Sequence, residues 1–139
     1  MFHSILLPVD LTEENEAAVS TALGLLGDSG GKATVLHVIE TIADVDFEDM
    51  EDFYQRLEEK ARTGMRTLAQ PLESAGLDVD QRVIYGKRAR DIVAFAEEHE
   101  ADLIVMSSRP LDPDNPAAAW GSISQQVAIL ARCPVLLVK

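Results

Sequence analysis

The residues best equipped for chemistry lie at two places, an aspartate after the first apolar run and a glycine-serine turn late in the chain. Gly121-Ser122-Ile123-Ser124 opens a helical pattern. A helix start presents unpaired backbone N–H groups and a positive dipole end, which together attract an anion. Gly121 lets a phosphate approach the backbone, and the hydroxyls of Ser122 and Ser124 add hydrogen-bonding capacity. The same stretch, Ser122 to Gln125, also reads as a capping box that satisfies the helix with no ligand, and the two roles are compatible. Asp10 has a similar double reading: it turns the chain after a strand, or it accepts hydrogen bonds from a base or ribose. Arg109 offers one fixed positive charge, either to a phosphate or to a surface ion pair.

The elements that must position these residues alternate regularly. Apolar runs at Ser4–Val9, Ala33–Ile39, Val79–Tyr85, Asp102–Met106 and Val135–Val138 predict five strands. The fourth, DLIVM, is apolar almost throughout, as a strand buried on both faces should be. Between them lie helical patterns. Thr12 is placed to cap the first, with Glu13 and Glu14 at its start and Ala18, Ala22 and Leu25 at helical spacing, and Gly27 to Gly31 end it. Phe53, Leu57, Ala61, Met65 and Leu68 mark one face of a long second helix, with Pro71 near its end. Ala89, Ile92, Val93 and Ala96 mark a third, and Ile123, Val127 and Leu130 the inner face of a fourth. Strands alternating with helices predict βαβ units, a parallel sheet and one domain over residues 1–139. In such sheets ligands bind outside the carboxyl ends of the strands, where the strand order reverses. That rule brings Pro8-Val9-Asp10, Val38-Ile39, Met106–Arg109 and the Gly121–Ser124 turn into one candidate set.

Composition narrows the classes. The 139 residues are 47% hydrophobic but only 5% aromatic, so the core must rest on Val, Ile, Leu and Ala. Twelve basic against twenty-four acidic residues give a net charge of −12, which disfavours nucleic acid and anionic lipid as partners. No stretch approaches the roughly 20 apolar residues of a membrane span. The start of the chain lacks a basic flank and a long apolar segment, and the single Cys133 cannot form an internal disulfide. The expected location is cytoplasmic.

Other motifs dissolve on inspection. Gly24–Lys32 (GLLGDSGGK) resembles a phosphate-binding P-loop, but it follows a helix and Ala33 stands where Ser or Thr is needed. His3, His37 and His99 are dispersed and have no zinc spacing. The acidic run Asp44–Asp49 lacks the glycine and terminal glutamate of a calcium loop and reads as a solvated helix start. Cys133, beside Pro134, reads as packing and not as a nucleophile. No arrangement supplies a catalytic centre, so an efficient enzyme is not expected.

Taken together, SILLPVDLTEENEAAVSTAL, ATVLHVI, ADLIVMSSRP and GSISQQVAILARCPVLLVK span the whole chain and resemble the universal stress protein family. The resemblance implies a five-stranded parallel sheet of order 3-2-1-4-5 with helices on both faces, of the Rossmann-like adenine-nucleotide-binding type. It implies binding of ATP or another adenine nucleotide. Uncompensated, Asp112 and Asp114 in the loop over the phosphates would repel them, and Mg²⁺ is the ion that bridges carboxylates and phosphate oxygens. By the same resemblance Pro8, Val9, Asp10 and Val38 frame adenine and ribose. Met106, Ser107, Arg109, Gly121, Ser122, Ile123 and Ser124 then follow the ribose and phosphates. The family signature G-x-x-G-x(9)-G-S/T is altered here. Ser107 and Pro110 stand at its first two glycines, ten residues precede Gly121, and only Gly121-Ser122 matches fully. The SSRP stretch looks like the SHRP variant of one family branch.

The resemblance also implies a homodimer through the last strand. Val135, Leu136, Leu137 and Val138 would form an apolar edge that pairing with a second copy protects; coverage by a side chain or loop is the other solution. The expected function is a stress-response module that senses adenine nucleotide and acts on a protein partner. Its rival is a nucleotide-free dimeric interaction protein, and a third reading is slow ATP hydrolysis or self-phosphorylation at Ser122 or Ser124.

Overall fold

The first strand explains the architecture. In the computed structural model, which describes residues 1–108, 114 and 122–139, β1 (Ser4–Pro8) buries Ile5, Leu6 and Leu7 to 1% exposure or less. A strand covered on both faces must lie inside a sheet. It pairs in parallel with β2 (Lys32–Glu40) on one side and β4 (Leu103–Ser107) on the other. β3 (Asp78–Gly86) adds beyond β2, and β5 (Val135–Val138) beyond β4. All pairings are parallel, as the sequence patterning implies, and the order β3-β2-β1-β4-β5 is the one the family resemblance implies.

Side-chain alternation divides the interior into two layers. Ile5, Leu7, Ala33, Val35, Leu103 and Val105 face α1 (Asn15–Leu26) and α2 (Glu51–Ser74). Leu6, Leu36, Val38, Ile104 and Met106 face α3 (Arg88–Glu98) and α4 (Ile123–Leu130). Each fully buried Leu or Ile stabilises the fold by about 1.5–3 kcal/mol. Helices leave β1 and β4 toward opposite faces, so the strand order reverses between these two neighbours.

Several boundaries differ from the sequence expectation, each for a local reason. The first helix starts at Asn15, so Thr12, Glu13 and Glu14 precede it, and Leu26 rather than Leu25 fills the core. Phe53 and Leu130 are exposed at 40% and 55%. Near a helix end the supporting neighbours run out, and the buried stripe of α2 passes through Tyr54, Ala61, Met65, Ala69 and Leu72 instead. Pro71 sits inside α2, because burial of Leu72 holds the last turn together and the Pro71 carbonyl accepts the Ala75 N–H at 3.2 Å. Asp102 lies outside β4, and its carboxylate accepts the N–H groups of His3 (2.7 Å) and Ser4 (3.1 Å). At the turn into β2, Gly31 has φ +131° and a Cβ there would lie 2.9 Å from the His3 carbonyl oxygen, so only glycine fits.

Candidate functional site

β1 and β4 end side by side, and the chain beyond each is held by one buried amide. Asn15, the first residue of α1, is 2% exposed. Its Oδ1 accepts the backbone N–H groups of Asp10 (3.1 Å), Leu11 (2.8 Å) and Thr12 (3.2 Å). Its Nδ2 donates to Ser107 Oγ at 3.3 Å, and that hydroxyl donates to the Glu14 carbonyl at 2.9 Å. The β1 loop is thus bound to the end of β4 across the switch point. Leu11 adopts φ +70°, a conformation that costs a bulky residue about 1–2 kcal/mol. The Asn15 acceptor offsets that cost.

Asp10 takes the first of its two expected roles. Its Oδ1 accepts the Thr12 N–H (3.1 Å) and the Thr12 hydroxyl (2.7 Å), which makes the turn. Its Oδ2 has no partner among the described residues, and the side chain is exposed. Val9 is buried; its N–H donates to the Leu36 carbonyl at 2.9 Å, and its own carbonyl lies 2.9 Å from His37 Nδ1. A carbonyl only accepts, so His37 carries its proton on Nδ1.

A second polar chain runs along the other side of the rim. Ser108 donates its N–H to the Val138 carbonyl at 2.8 Å, and its hydroxyl accepts from Ser124 Oγ at 3.3 Å. Ser124 and Ser122 hydroxyls are 3.4 Å apart, and Ser122 Oγ caps α4 by accepting the Gln125 N–H at 3.3 Å. The serine half of the capping box is therefore present. It leaves the backbone N–H groups of Ile123 and Ser124 without an acceptor among the described residues.

The structure brings Pro8, Val9, Asp10, Met106, Ser107, Ser122, Ile123 and Ser124 to the carboxyl rim. Val38 extends the neighbouring strand two residues beyond the Pro8–Leu36 pair, with its side chain in the α3–α4 layer. Arg109, Pro110, Asp112 and Gly121 lie outside the described residues. Ser108 falls within the expected Met106–Arg109 segment, whereas Asn15 was not anticipated. Asn15 carries a faint signal, a lone amide five residues after the aspartate that ends a strand. Cys133 is half-buried, and burial pushes its thiol up from the ordinary range, as packing requires. No described helix is long and apolar enough to cross a membrane.

The profile of the universal stress protein family matches residues 1–139. The chain belongs to that family. A universal stress protein of Thermus aquaticus, encoded 3′ to a QAH/OAS sulfhydrylase, is 31% identical over the full length of both chains. Universal stress protein MJ0577 of Methanocaldococcus jannaschii shares its fold at a TM-score of 0.82 with 27% identity, covering 100% of this chain and 96% of that one. The universal stress protein of Archaeoglobus fulgidus solved in complex with dAMP superposes at a TM-score of 0.70 with 20% identity, covering 99% and 98%. Within this universal stress protein fold, the Asn15 clamp and the serine chain occupy the β1–β4 switch point.

Proposed function

We propose that this universal stress protein is a cytosolic adenine-nucleotide-binding module that lacks efficient catalysis and passes its occupancy to a protein partner. The observation that carries the reading is the convergence at one rim of a free carboxylate oxygen, a serine hydroxyl chain and the exposed start of α4. Asp10 Oδ2 is placed to accept from ribose hydroxyls. The N–H groups of Ile123 and Ser124 and the Ser122 hydroxyl suit a phosphate, whose charge the helix end favours. Pro8, Val9 and the buried Met106 supply apolar surface for a base. The relative bound to dAMP supports the ligand class. The Thr12 hydroxyl meets the Asp10 carboxylate at 2.7 Å, but that bond makes the turn after β1, and among the described residues the hydroxyls of Ser122 and Ser124 have no base in hydrogen-bond reach.

ATP and AMP titrations by calorimetry test the reading, with and without Mg²⁺ and after analysis for copurified nucleotide. Saturable binding supports it. Absence of binding in every arm, with no copurified nucleotide, removes it.

The homodimer is part of the same proposal. Among the described residues β5 has a neighbour on one side only. Leu136 on this edge and Ile129 and Leu130 on α4 are 39%, 74% and 55% exposed, and a second copy would cover them.

A further inference from the structure

We propose that the connector after β2 is a docking surface for a basic amphipathic helix of a partner protein. Four of the chain's seven Phe, Tyr and Trp residues meet here. Buried Tyr54 is the hub. Phe47 stacks on it with ring centroids 5.1 Å apart and planes 4° from parallel, Phe53 meets it edge-on at 5.6 Å, and its hydroxyl accepts the Ile42 N–H at 2.8 Å. Tyr85 braces Phe47 from the side at 5.5 Å. Yet Ile42, Val45, Phe47 and Phe53 stay 46%, 42%, 48% and 40% exposed. The rings of Phe47 and Phe53 are held in place and still face water, the state in which aromatic anchors bind a partner at low entropic cost.

Charge identifies the occupant. Asp44, Asp46, Glu48, Asp49, Glu51 and Asp52 are all exposed around these side chains, and residues 41–55 contain no Lys or Arg. None of the six acids forms an ion pair among the described residues. An apolar centre with an acidic rim selects a cationic partner and repels nucleic acid and anionic membranes. The exposed apolar groups come from a loop, a 3-10 turn (Phe47–Met50) and the start of α2, none of them a strand; the edge strand β3 contributes only Tyr85 beneath them. A helix with leucines on one face and lysines on its flanks matches both features. The surface holds whether or not the rim binds a nucleotide.

The test uses the full chain and a fluorescein-labelled peptide of about 18 Leu and Lys residues, with the leucines on one helical face. A peptide of the same composition, scrambled so that no apolar face forms, is the control. Anisotropy should show saturable binding of the amphipathic peptide, about tenfold tighter than the scrambled one. Phe47→Ser and Phe53→Ser should each weaken it about tenfold, while Leu25→Ser, on α1, leaves it unchanged. Asp44→Asn, Asp46→Asn and Asp49→Asn combined should weaken binding and flatten its salt dependence. These three lie outside the core, so they keep the question decidable if Phe47→Ser unfolds the chain. Equal binding of both peptides, or binding indifferent to the asparagine changes and to Phe53→Ser, overturns the proposal. So does a dimer in sedimentation velocity that Phe53→Ser dissolves, because a second copy would then be the occupant.

Discussion

Asn15 Nδ2 donates to Ser107 Oγ at 3.3 Å, joining residues 92 positions apart. That contact fixes the distance between the loop after β1 and the end of β4, the two walls of the candidate site. Because the same side chain accepts three backbone N–H groups, its removal takes the acceptor from the part-buried N–H groups of Asp10 and Leu11, while Thr12 keeps Asp10 Oδ1.

Asn15→Ala is therefore expected to destabilise the fold by about 2–3 kcal/mol, read as a lower urea midpoint with an unchanged slope. Nucleotide affinity should fall further than stability alone explains, because the Asp10 loop loses its anchor. Titration at a temperature where the variant remains folded separates the two effects.

Ser122 has two duties that can be measured apart. Ser122→Ala should cost about 1 kcal/mol of stability through the lost cap. If its hydroxyl also meets phosphate, AMP affinity should drop about tenfold while adenosine affinity holds. Equal losses for both ligands would confine Ser122 to capping.

The helix 2–strand 3 contact predicts a pH dependence. Tyr85 donates its hydroxyl to Glu58 Oε2 at 2.7 Å, and burial, followed by this bond, pushes the phenol up to about 12. A raised value means that the native state holds the proton longer. The stabilisation is complete below the ordinary value of 10.0 and is lost as pH rises through about 12. The Tyr85 bond, then Arg62, holds the Glu58 carboxyl below its ordinary 4.5, so its contribution is present above that value and fades as pH falls through the lowered one. Tyr85→Phe should flatten the alkaline decline in urea midpoint between pH 10 and 12 and weaken the acid-side one.

The dimer proposal makes Leu136 decisive. Leu136→Lys places a charge on the exposed edge without entering the core, a device that blocks strand pairing. Sedimentation equilibrium should shift from dimer to monomer, with circular dichroism unchanged. A native protein that is already monomeric at micromolar concentration would count against the edge pairing.

The strands were legible because buried parallel strands are written as apolar runs, and SILLPV and DLIVM leave no other reading. The rim followed from topology once β1 and β4 were neighbours. Periodicity was less informative at helix ends, where Phe53 and Leu130 keep the spacing of a buried face but lack neighbours to cover them. The Asn15 clamp was hidden for a different reason. Thr12 looks like the local cap, whereas the acceptor in use is a buried amide whose second partner lies in β4. No pattern within α1 encodes that contact. The aromatic hub at Tyr54 was likewise split between a connector, a helix and a strand.

The central claim, that an adenine nucleotide sits at the β1–β4 switch point, is tested most directly by amide NMR during titration with AMP and ATP. Saturable shifts should concentrate at Val9, Asp10, Leu11, Ser107, Ser108 and Ser122–Gln125, and Asn15→Ala should abolish or scatter them. Spectra that do not change at saturating nucleotide, or shifts confined to residues away from this rim, would contradict the account.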